Sequence, residues 1–264
     1  MAASTKGLKV IICMSLSVPK LKVDSIKSLG AEVRQLGLSQ LEAEIECQRL
    51  VEEEGFIEVS PFDDPFVISG QGTIGLELLR QRPDIKSVIV PLSGGGLAGG
   101  LAVAIKEINP QVQIIGVTME NGAAMNQSIK LGKPTEVLEQ PTLADALAGG
   151  IGLHNRFSFS LCSELLDDTI TVSEMEIYNA IQCLYYEDRI ITEGACAVGV
   201  AAVLSNRLKL VDGPVVSIIT GQNVDMTMFT DIINGRDIRL GTSKLSGKIY
   251  EKIKYIGKLS DATE

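Results

Sequence analysis

Residues 87–100 combine a β-branched run, a turn of three consecutive glycines and a helical pattern. The run 87–90 (SVIV) predicts a buried strand, because β-branched residues favour strands. The glycines remove every side chain from the turn, and residues 97–108 predict a helix. Amide N–H groups at the N-terminus of such a helix bind anions, with help from the helix dipole. The stretch fits a phosphate-binding cradle, and it fits equally a tight turn that lets strand and helix pack closely.

Composition narrows the class of protein. The 264 residues carry a net charge of −9 at pH 7, and 45% of them are apolar. An acidic surface disfavours nucleic acid or an anionic membrane as the main partner. The sequence contains neither a signal-peptide core nor an apolar run of membrane-spanning length, and its five cysteines form no C-x-x-C pair. We therefore expect a soluble cytoplasmic protein without zinc or structural disulfides.

Strand and helix patterns alternate along most of the chain. In its first part, residues 9–14, 32–35 and 56–59 predict strands, with helices between them. Such alternation is typical of an α/β fold with open parallel sheets and flanking helices. Residues 60–65 form a turn-rich junction between units. The predicted units are a remnant of a small α/β domain over 1–62, a large α/β domain over 63–236 and a C-terminal arm over 237–264.

A second turn also follows a predicted buried strand. Residues 215–219 form that strand, and the polar run 220–223 (TGQN) comes directly after it. Ligands in open α/β sheets bind outside the carboxyl ends of strands, so we expect this turn and the glycine turn to face one crevice. Thr220 offers a hydroxyl there, and Gly221 lets a flat ligand approach. Thr220 is equally suited to cap the helix that follows.

Other polar residues give weaker signals. The only histidine, His154, has no patterned nucleophile nearby, so it is expected in a loop or at the surface. Asp63 and Asp64 lie between prolines and are expected to form a turn. No carboxylate cluster has the spacing of a metal site.

Five short motifs point to a family. In chain order they are residues 61–65 (PFDDP), 70–73 (GQGT), 93–97 (SGGGL), 192–195 (TEGA) and 220–223 (TGQN). Together they resemble the serine/threonine dehydratase family, whose members are pyridoxal-phosphate enzymes of fold type II, the tryptophan-synthase β fold. The resemblance covers roughly residues 8–236. The run 116–125 (GVTMENGAAM) is most similar to the hydroxyectoine-utilisation dehydratase branch.

The resemblance implies a binding site for pyridoxal 5′-phosphate. In the family, the backbone amides of the glycine turn hold the cofactor phosphate. The matching residues here are Ser93, Gly94, Gly95, Gly96 and Leu97. The family usually has a glycine where this chain has the serine that begins the turn.

Further cofactor-binding residues follow from the same resemblance. The family places a Ser or Thr hydroxyl at the pyridine nitrogen, and Thr220, followed by Gly221, matches that position. Glu193 matches a segment that lines the cofactor face. Metal-binding members have a Glu and an Asp near positions 118 and 124, where this chain has Thr118 and Ala124. The resemblance therefore implies no metal site.

Two family features are not found at their usual place. The lysine that forms the Schiff base, and a loop that binds the substrate carboxylate, precede the strand that begins at Lys9, so both are expected to be missing from this chain. Lys6 and Lys27 follow a serine at the right spacing, but neither lies at the matching position. No catalytic residue is therefore assigned. An N-terminal truncation, a wrong gene start and one piece of a split protein all fit this pattern.

The resemblance implies an ammonia-lyase, or dehydratase, that acts by β-elimination on a hydroxy amino acid such as L-threonine or L-serine and that forms a homodimer. Without the lysine, turnover by this chain alone is expected to be very poor. One alternative is a catalytically inactive fragment that binds a phosphate ligand or a partner subunit. Another is a different α/β enzyme such as a nucleotide binder, although no Gly-x-Gly-x-x-Gly run follows the first strand.

Overall fold

A computed structural model describes residues 2–252 of the chain, apart from the side chain of Leu21. Within these residues, the strands form one four-stranded sheet and two small two-stranded sheets. The strands are β1 Ile11–Met14, β2 Glu32–Gln35, β3 Ser87–Pro91, β4 Gln113–Met119, β5 Asp168–Val172, β6 Val215–Ser217, β7 Ile238–Leu240 and β8 Ser243–Leu245.

Helices connect most of the strands, as the alternating pattern predicts. They are α1 Ala2–Thr5, α2 Lys20–Ser28, α3 Gln40–Glu54, α4 Pro65–Gln81, α5 Gly96–Ile108, α6 Ala124–Leu131, α7 Ser158–Leu165, α8 Glu174–Asp188, α9 Gly194–Leu204 and α10 Met226–Ile233, with a 3₁₀ turn at Asp145–Leu147. Strands β1 to β6 pair only in parallel, which confirms the predicted α/β class.

The N-terminal unit is a two-stranded sheet covered by α3. Strand β1 pairs in parallel with β2, so that Ile11 lies opposite Glu32. Helix α3 begins at a complete capping box. The Ser39 hydroxyl accepts a hydrogen bond from the Glu42 amide at 3.3 Å, and the Glu42 carboxylate accepts one from the Ser39 amide at 3.1 Å. The Ser-x-x-Glu spacing predicts this start of the helix.

The strand predicted over residues 56–59 is wrong. This segment is irregular, and the side chains of Ile57 and Val59 are 89% and 70% exposed. Among residues 2–252, the sheet of β1 and β2 contains no third strand that pairs with it. β-Branched residues favour strands mainly through contacts with neighbouring strands, and here those contacts are missing.

The central sheet has the order β5-β4-β3-β6, and each neighbouring pair is parallel. Strand β3 is buried along its whole length, and its successive side chains point to opposite faces. Ile89 packs in a core cluster with residues of α8 and α9, whereas Val88 and Val90 pack in a second cluster with residues of α4 and α5. Because β3 and β6 are neighbours, the turns that follow them lie at the same edge of the sheet.

Helices α4 and α5 pack with their backbones in contact. A Cβ atom at Gly100 would lie 2.2 Å from the carbonyl oxygen of Ile68, and a Cβ atom at Gly72 would lie 3.0 Å from the carbonyl oxygen of Gly100. Protein interiors are too densely packed to absorb such an overlap without a backbone shift. The second glycine of the GQGT motif therefore has a packing role between the two helices.

The chain after α10 packs against α8. Strands β7 and β8 form an antiparallel hairpin, and the Gln182 side chain donates hydrogen bonds of 2.7 Å to the carbonyl oxygens of Ile232 and Lys248. These contacts hold residues 237–252 of the predicted arm against the large unit, whereas residues 253–264 lie outside the described residues. None of the helices in residues 2–252 has the length and apolar character needed to cross a bilayer.

Candidate functional site

A cavity of about 360 Å³ opens where β3 and β6 end. One part of its lining is the glycine turn, from Ser93 to Leu97, and another part includes Thr220 and Glu193. Phe62 and Leu147 contribute apolar side chains to the remaining lining. The two turns that follow the parallel strands therefore share one hollow.

The glycine turn presents free main-chain amides at the N-terminus of α5. Residues 94–96 are buried, yet within residues 2–252 the amides of residues 94–97 donate to no protein oxygen. Buried amides in folded proteins are nearly always hydrogen-bonded, so this group of donors is unusual. The dipole of the 13-residue helix adds positive potential at the same point. The turn therefore has the donors and the field that an anion requires.

The same turn is also tightly packed. Gly95 has φ of +90°, a left-handed conformation that favours glycine. A Cβ atom there would lie 2.7 Å from the Met125 methyl carbon and 2.9 Å from the Cys162 sulfur. Close packing, one of the two interpretations of the glycines from sequence, is therefore observed, and the phosphate-binding cradle stays a prediction. Ser93 begins the turn and donates from its hydroxyl to the Leu147 carbonyl oxygen at 3.0 Å.

The wall that includes Thr220 and Glu193 contains a compact polar cluster. The Cys196 sulfur lies 3.0 Å from the Thr220 hydroxyl oxygen and 3.5 Å from a Glu193 carboxylate oxygen. The Thr192 hydroxyl donates to the Gly221 carbonyl oxygen at 3.2 Å, which fixes the turn relative to α9. Gly221 itself does not line the cavity, although a Cβ atom there would lie 2.6 Å from the Glu193 carboxylate. Because Gly221 has no side chain, the Glu193 carboxylate can occupy this space.

Thr220 does not cap the following helix. Helix α10 begins at Asp225, whose carboxylate accepts hydrogen bonds from the amides of Thr227 and Met228 at 2.7 and 3.1 Å. Of the two roles that sequence leaves open for Thr220, the capping role is therefore wrong. Its hydroxyl remains available to the cavity.

The cavity contains little charge. Glu193 is the one carboxylic acid among the lining residues that the structure describes, Cys196 is a thiol, and no lysine, arginine or histidine is among them. Lys6 and Lys27 are exposed elsewhere on the N-terminal unit. An anion in this cavity would therefore be bound by neutral amides and the helix dipole rather than by a basic side chain.

Asp63 holds together two segments that are distant in sequence. Its carboxylate accepts hydrogen bonds from three successive amides, those of Arg156, Phe157 and Ser158, at 2.7, 2.8 and 2.9 Å. Helix α7 begins here without a cap from its own side chains, so Asp63 caps it from 93 residues or more away in sequence. The prediction of a simple turn missed this role. Its neighbour Asp64 caps α4 locally.

We expect Asp63→Ala to lower the free energy of unfolding by about 2 kcal/mol, because three amides lose a charged acceptor. Urea denaturation followed by circular dichroism measures this change. The matched control is Asp212→Ala, in an exposed turn, which should change stability by less than about 0.5 kcal/mol. Equal stabilities of the two variants would contradict the capping role of Asp63.

The remaining polar candidates lie outside the cavity. His154 is exposed in a loop, as expected from the sequence. Thr118 is buried in β4 and donates from its hydroxyl to the Met119 sulfur at 3.2 Å. Among residues 2–252, no group of three or more His, Cys, Asp or Glu side chains is arranged to hold a metal ion.

Comparison with known families decides the class of protein. Residues 1–221 match the model of a family described as pyridoxal-phosphate dependent enzyme. The chain belongs to the pyridoxal-phosphate dependent enzymes. This match confirms the family resemblance and includes both strand-end turns of the cavity up to Gly221.

Relatives within this family are named for a threonine activity. A putative threonine dehydratase of Sinorhizobium fredii is 49% identical over 234 residues, which cover 89% of this chain and 70% of the relative. An L-threonine ammonia-lyase of Thermotoga maritima is 40% identical over 241 residues, which cover 91% of this chain and 59% of the relative. The chain thus spans less than two thirds of the second relative's length.

Solved structures of pyridoxal-phosphate dependent enzymes have the same fold. Maize serine racemase superimposes with a TM-score of 0.79 at 32% identity, over 87% of this chain and 70% of the racemase. Threonine deaminase isoform 2 from Solanum lycopersicum superimposes with a TM-score of 0.77 at 35% identity, over 88% of this chain and 64% of the deaminase. The expected fold type II is confirmed.

Proposed function

We propose that this chain is the cofactor-binding part of an ammonia-lyase that removes water and ammonia from a hydroxy amino acid such as L-threonine or L-serine. One observation supports this above all. The free amides of residues 94–97 and the Thr220 hydroxyl line the same cavity, as a cofactor with an anionic end and a polar ring requires. The two relatives named for threonine activities support the substrate class.

The residues present fit pyridoxal phosphate at both ends. The amides of residues 94–97 would bind the phosphate, and Thr220 would bind the ring nitrogen. Glu193 would lie beside the ring, whereas Gly221, predicted from the sequence as a cofactor contact, does not line the cavity. When bound, the cofactor supplies an electron sink that stabilises negative charge on the substrate's α-carbon. Phe62 and Leu147 would exclude water from the phosphate end.

The chain offers no lysine at this cavity within its described residues. A lysine is the usual covalent partner of this cofactor and a suitable proton acceptor. We therefore propose that the chain alone binds the cofactor with little or no turnover. The same observation favours a second candidate function, a catalytically inactive fragment that binds a phosphate ligand or a partner subunit.

Calorimetric titration of the purified chain with pyridoxal phosphate tests the proposal. We expect saturable binding of one cofactor per chain, and inorganic phosphate should compete because it would occupy the same amides. Incubation with L-threonine should then release only traces of keto acid. Binding of inorganic phosphate without binding of pyridoxal phosphate would favour the second candidate. Binding of neither would overturn the cofactor site.

We also propose that the chain forms a homodimer and is located in the cytoplasm. Among residues 2–252 all five cysteines are free thiols, which fits a reducing compartment. Large apolar side chains on α4, among them Phe66 and Leu76, are 87% and 50% exposed, and they fit a surface covered by a second subunit. Light scattering of the purified chain measures its mass and tests the dimer.

A further inference from the structure

Cys196 occupies a position in the cavity that neither the family match nor the motifs explain. It is on the first turn of α9, is 1% exposed, and lines the cavity together with Thr220 and Glu193. Its sulfur contacts both of these residues, at 3.0 Å from the Thr220 hydroxyl and 3.5 Å from the Glu193 carboxylate. A buried thiol therefore joins the two polar side chains of this wall.

The direction of these hydrogen bonds determines what Thr220 can do. A thiol and a hydroxyl each carry one proton, whereas a carboxylate only accepts. If the thiol donates to Glu193, Thr220 donates to the sulfur and has only a lone pair for a ligand. If the thiol donates to Thr220, the hydroxyl proton is free to point into the cavity. In the 3.5 Å contact to Glu193 only the thiol can donate, whereas either atom can donate in the shorter contact of 3.0 Å to Thr220.

The Cys196 thiol is protonated at neutral pH. Burial raises the pKa of Cys196 above its usual value, and the polar groups of Thr220 and Gly221 near the sulfur oppose that shift only in part. At neutral pH the residue is therefore a donor and not a thiolate.

We propose that Cys196 is a positioning residue for Thr220, whose hydroxyl oxygen accepts the S–H hydrogen bond and directs its own proton to a ring nitrogen in the cavity. This inference rests on the proposed function, in which Thr220 contacts the cofactor ring. An unprotonated pyridine nitrogen only accepts hydrogen bonds, so it needs a donor at this point. By donating its S–H hydrogen bond to the Thr220 oxygen, Cys196 would leave the hydroxyl proton free to bind the ring nitrogen.

The test compares Cys196→Ala with Cys196→Ser by calorimetric titration. We expect Cys196→Ala to weaken pyridoxal phosphate binding about fivefold, in line with the loss of one oriented hydrogen bond. Cys196→Ser keeps a donor and should stay within about twofold of the unmodified chain. Inorganic phosphate should bind all variants equally, because it does not reach Thr220. The matched control is Cys183→Ala, which removes a buried cysteine of α8 that does not line the cavity.

Two further measurements separate positioning from packing. An analogue in which carbon replaces the ring nitrogen should bind Cys196→Ala and the unmodified chain equally. In the background of Thr220→Val, the change Cys196→Ala should have no further effect on pyridoxal phosphate binding, since the positioned hydroxyl is gone. A packing defect would instead weaken binding of the analogue and would add to the effect of Thr220→Val.

The outcomes distinguish this inference from the function on which it rests. If the unmodified chain binds no pyridoxal phosphate, the proposed function is wrong and the positioning role is wrong with it. If the unmodified chain binds the cofactor and Cys196→Ala binds it equally well, only the positioning role is overturned. A loss of inorganic phosphate binding in Cys196→Ala would also overturn it, because the substitution would then have disturbed the whole cavity.

Discussion

Gly100→Ala is expected to lower the free energy of unfolding by about 3 kcal/mol or to prevent folding. The new methyl group would lie 2.2 Å from the carbonyl oxygen of Ile68 and 3.0 Å from the Gly72 nitrogen. Both are main-chain atoms, so no side-chain rotation relieves the overlap and α4 must move away from α5. Chemical denaturation followed by circular dichroism measures the loss.

The matched control is another Gly→Ala substitution in the same helix pair. Gly70 is exposed in α4, and a Cβ atom there would have no neighbour within 4 Å. Gly70→Ala should raise stability by about 0.5–1 kcal/mol, because alanine loses less backbone entropy in a helix. If both substitutions shifted stability in the same direction, helix propensity rather than backbone contact would govern these positions.

Local sequence signals predicted most helix and strand positions. The Ser-x-x-Glu runs at Ser39 and Ser173 both became complete capping boxes at the starts of α3 and α8. Such signals succeed because the interacting atoms are three residues apart. The strand predicted at residues 56–59 failed for the opposite reason, since a strand depends on a neighbour that local sequence does not specify.

The candidate site likewise contains features that the sequence predicts and contacts that it does not predict. That two turns share a cavity follows from topology, because β3 and β6 are parallel and adjacent and their carboxyl ends share an edge. The contacts of Asp63 and Cys196 could not be predicted this way. Asp63 bonds to amides more than 90 residues away, and Cys196 contacts Thr220 across 24 residues. Rules based on sequence spacing apply only to residues a few positions apart. In addition, a buried cysteine is usually just a small core residue, so its presence does not indicate a site.

Leu97→Pro is expected to weaken binding of both pyridoxal phosphate and inorganic phosphate about thirtyfold. Position 97 is the second residue of α5, where proline is tolerated because its missing amide has no partner inside the helix. Gly96, just before it, has no Cβ to clash with the ring. The substitution therefore removes one anion donor and leaves the helix in place, and a hydrogen bond to a charged group contributes about 2 kcal/mol.

The control is Leu97→Ala, which removes the same side chain and keeps the amide. Calorimetric titration of the two variants with both ligands isolates the N–H group, and the helical signal in circular dichroism checks that α5 is intact. Leu97→Ala should bind both ligands within about threefold of the unmodified chain, because it keeps the amide and shortens only a half-buried apolar side chain. If Leu97→Pro remained folded and bound both ligands as tightly as Leu97→Ala, main-chain amides would not hold the phosphate. The anion would then require another donor, and the glycines of the turn would serve packing alone.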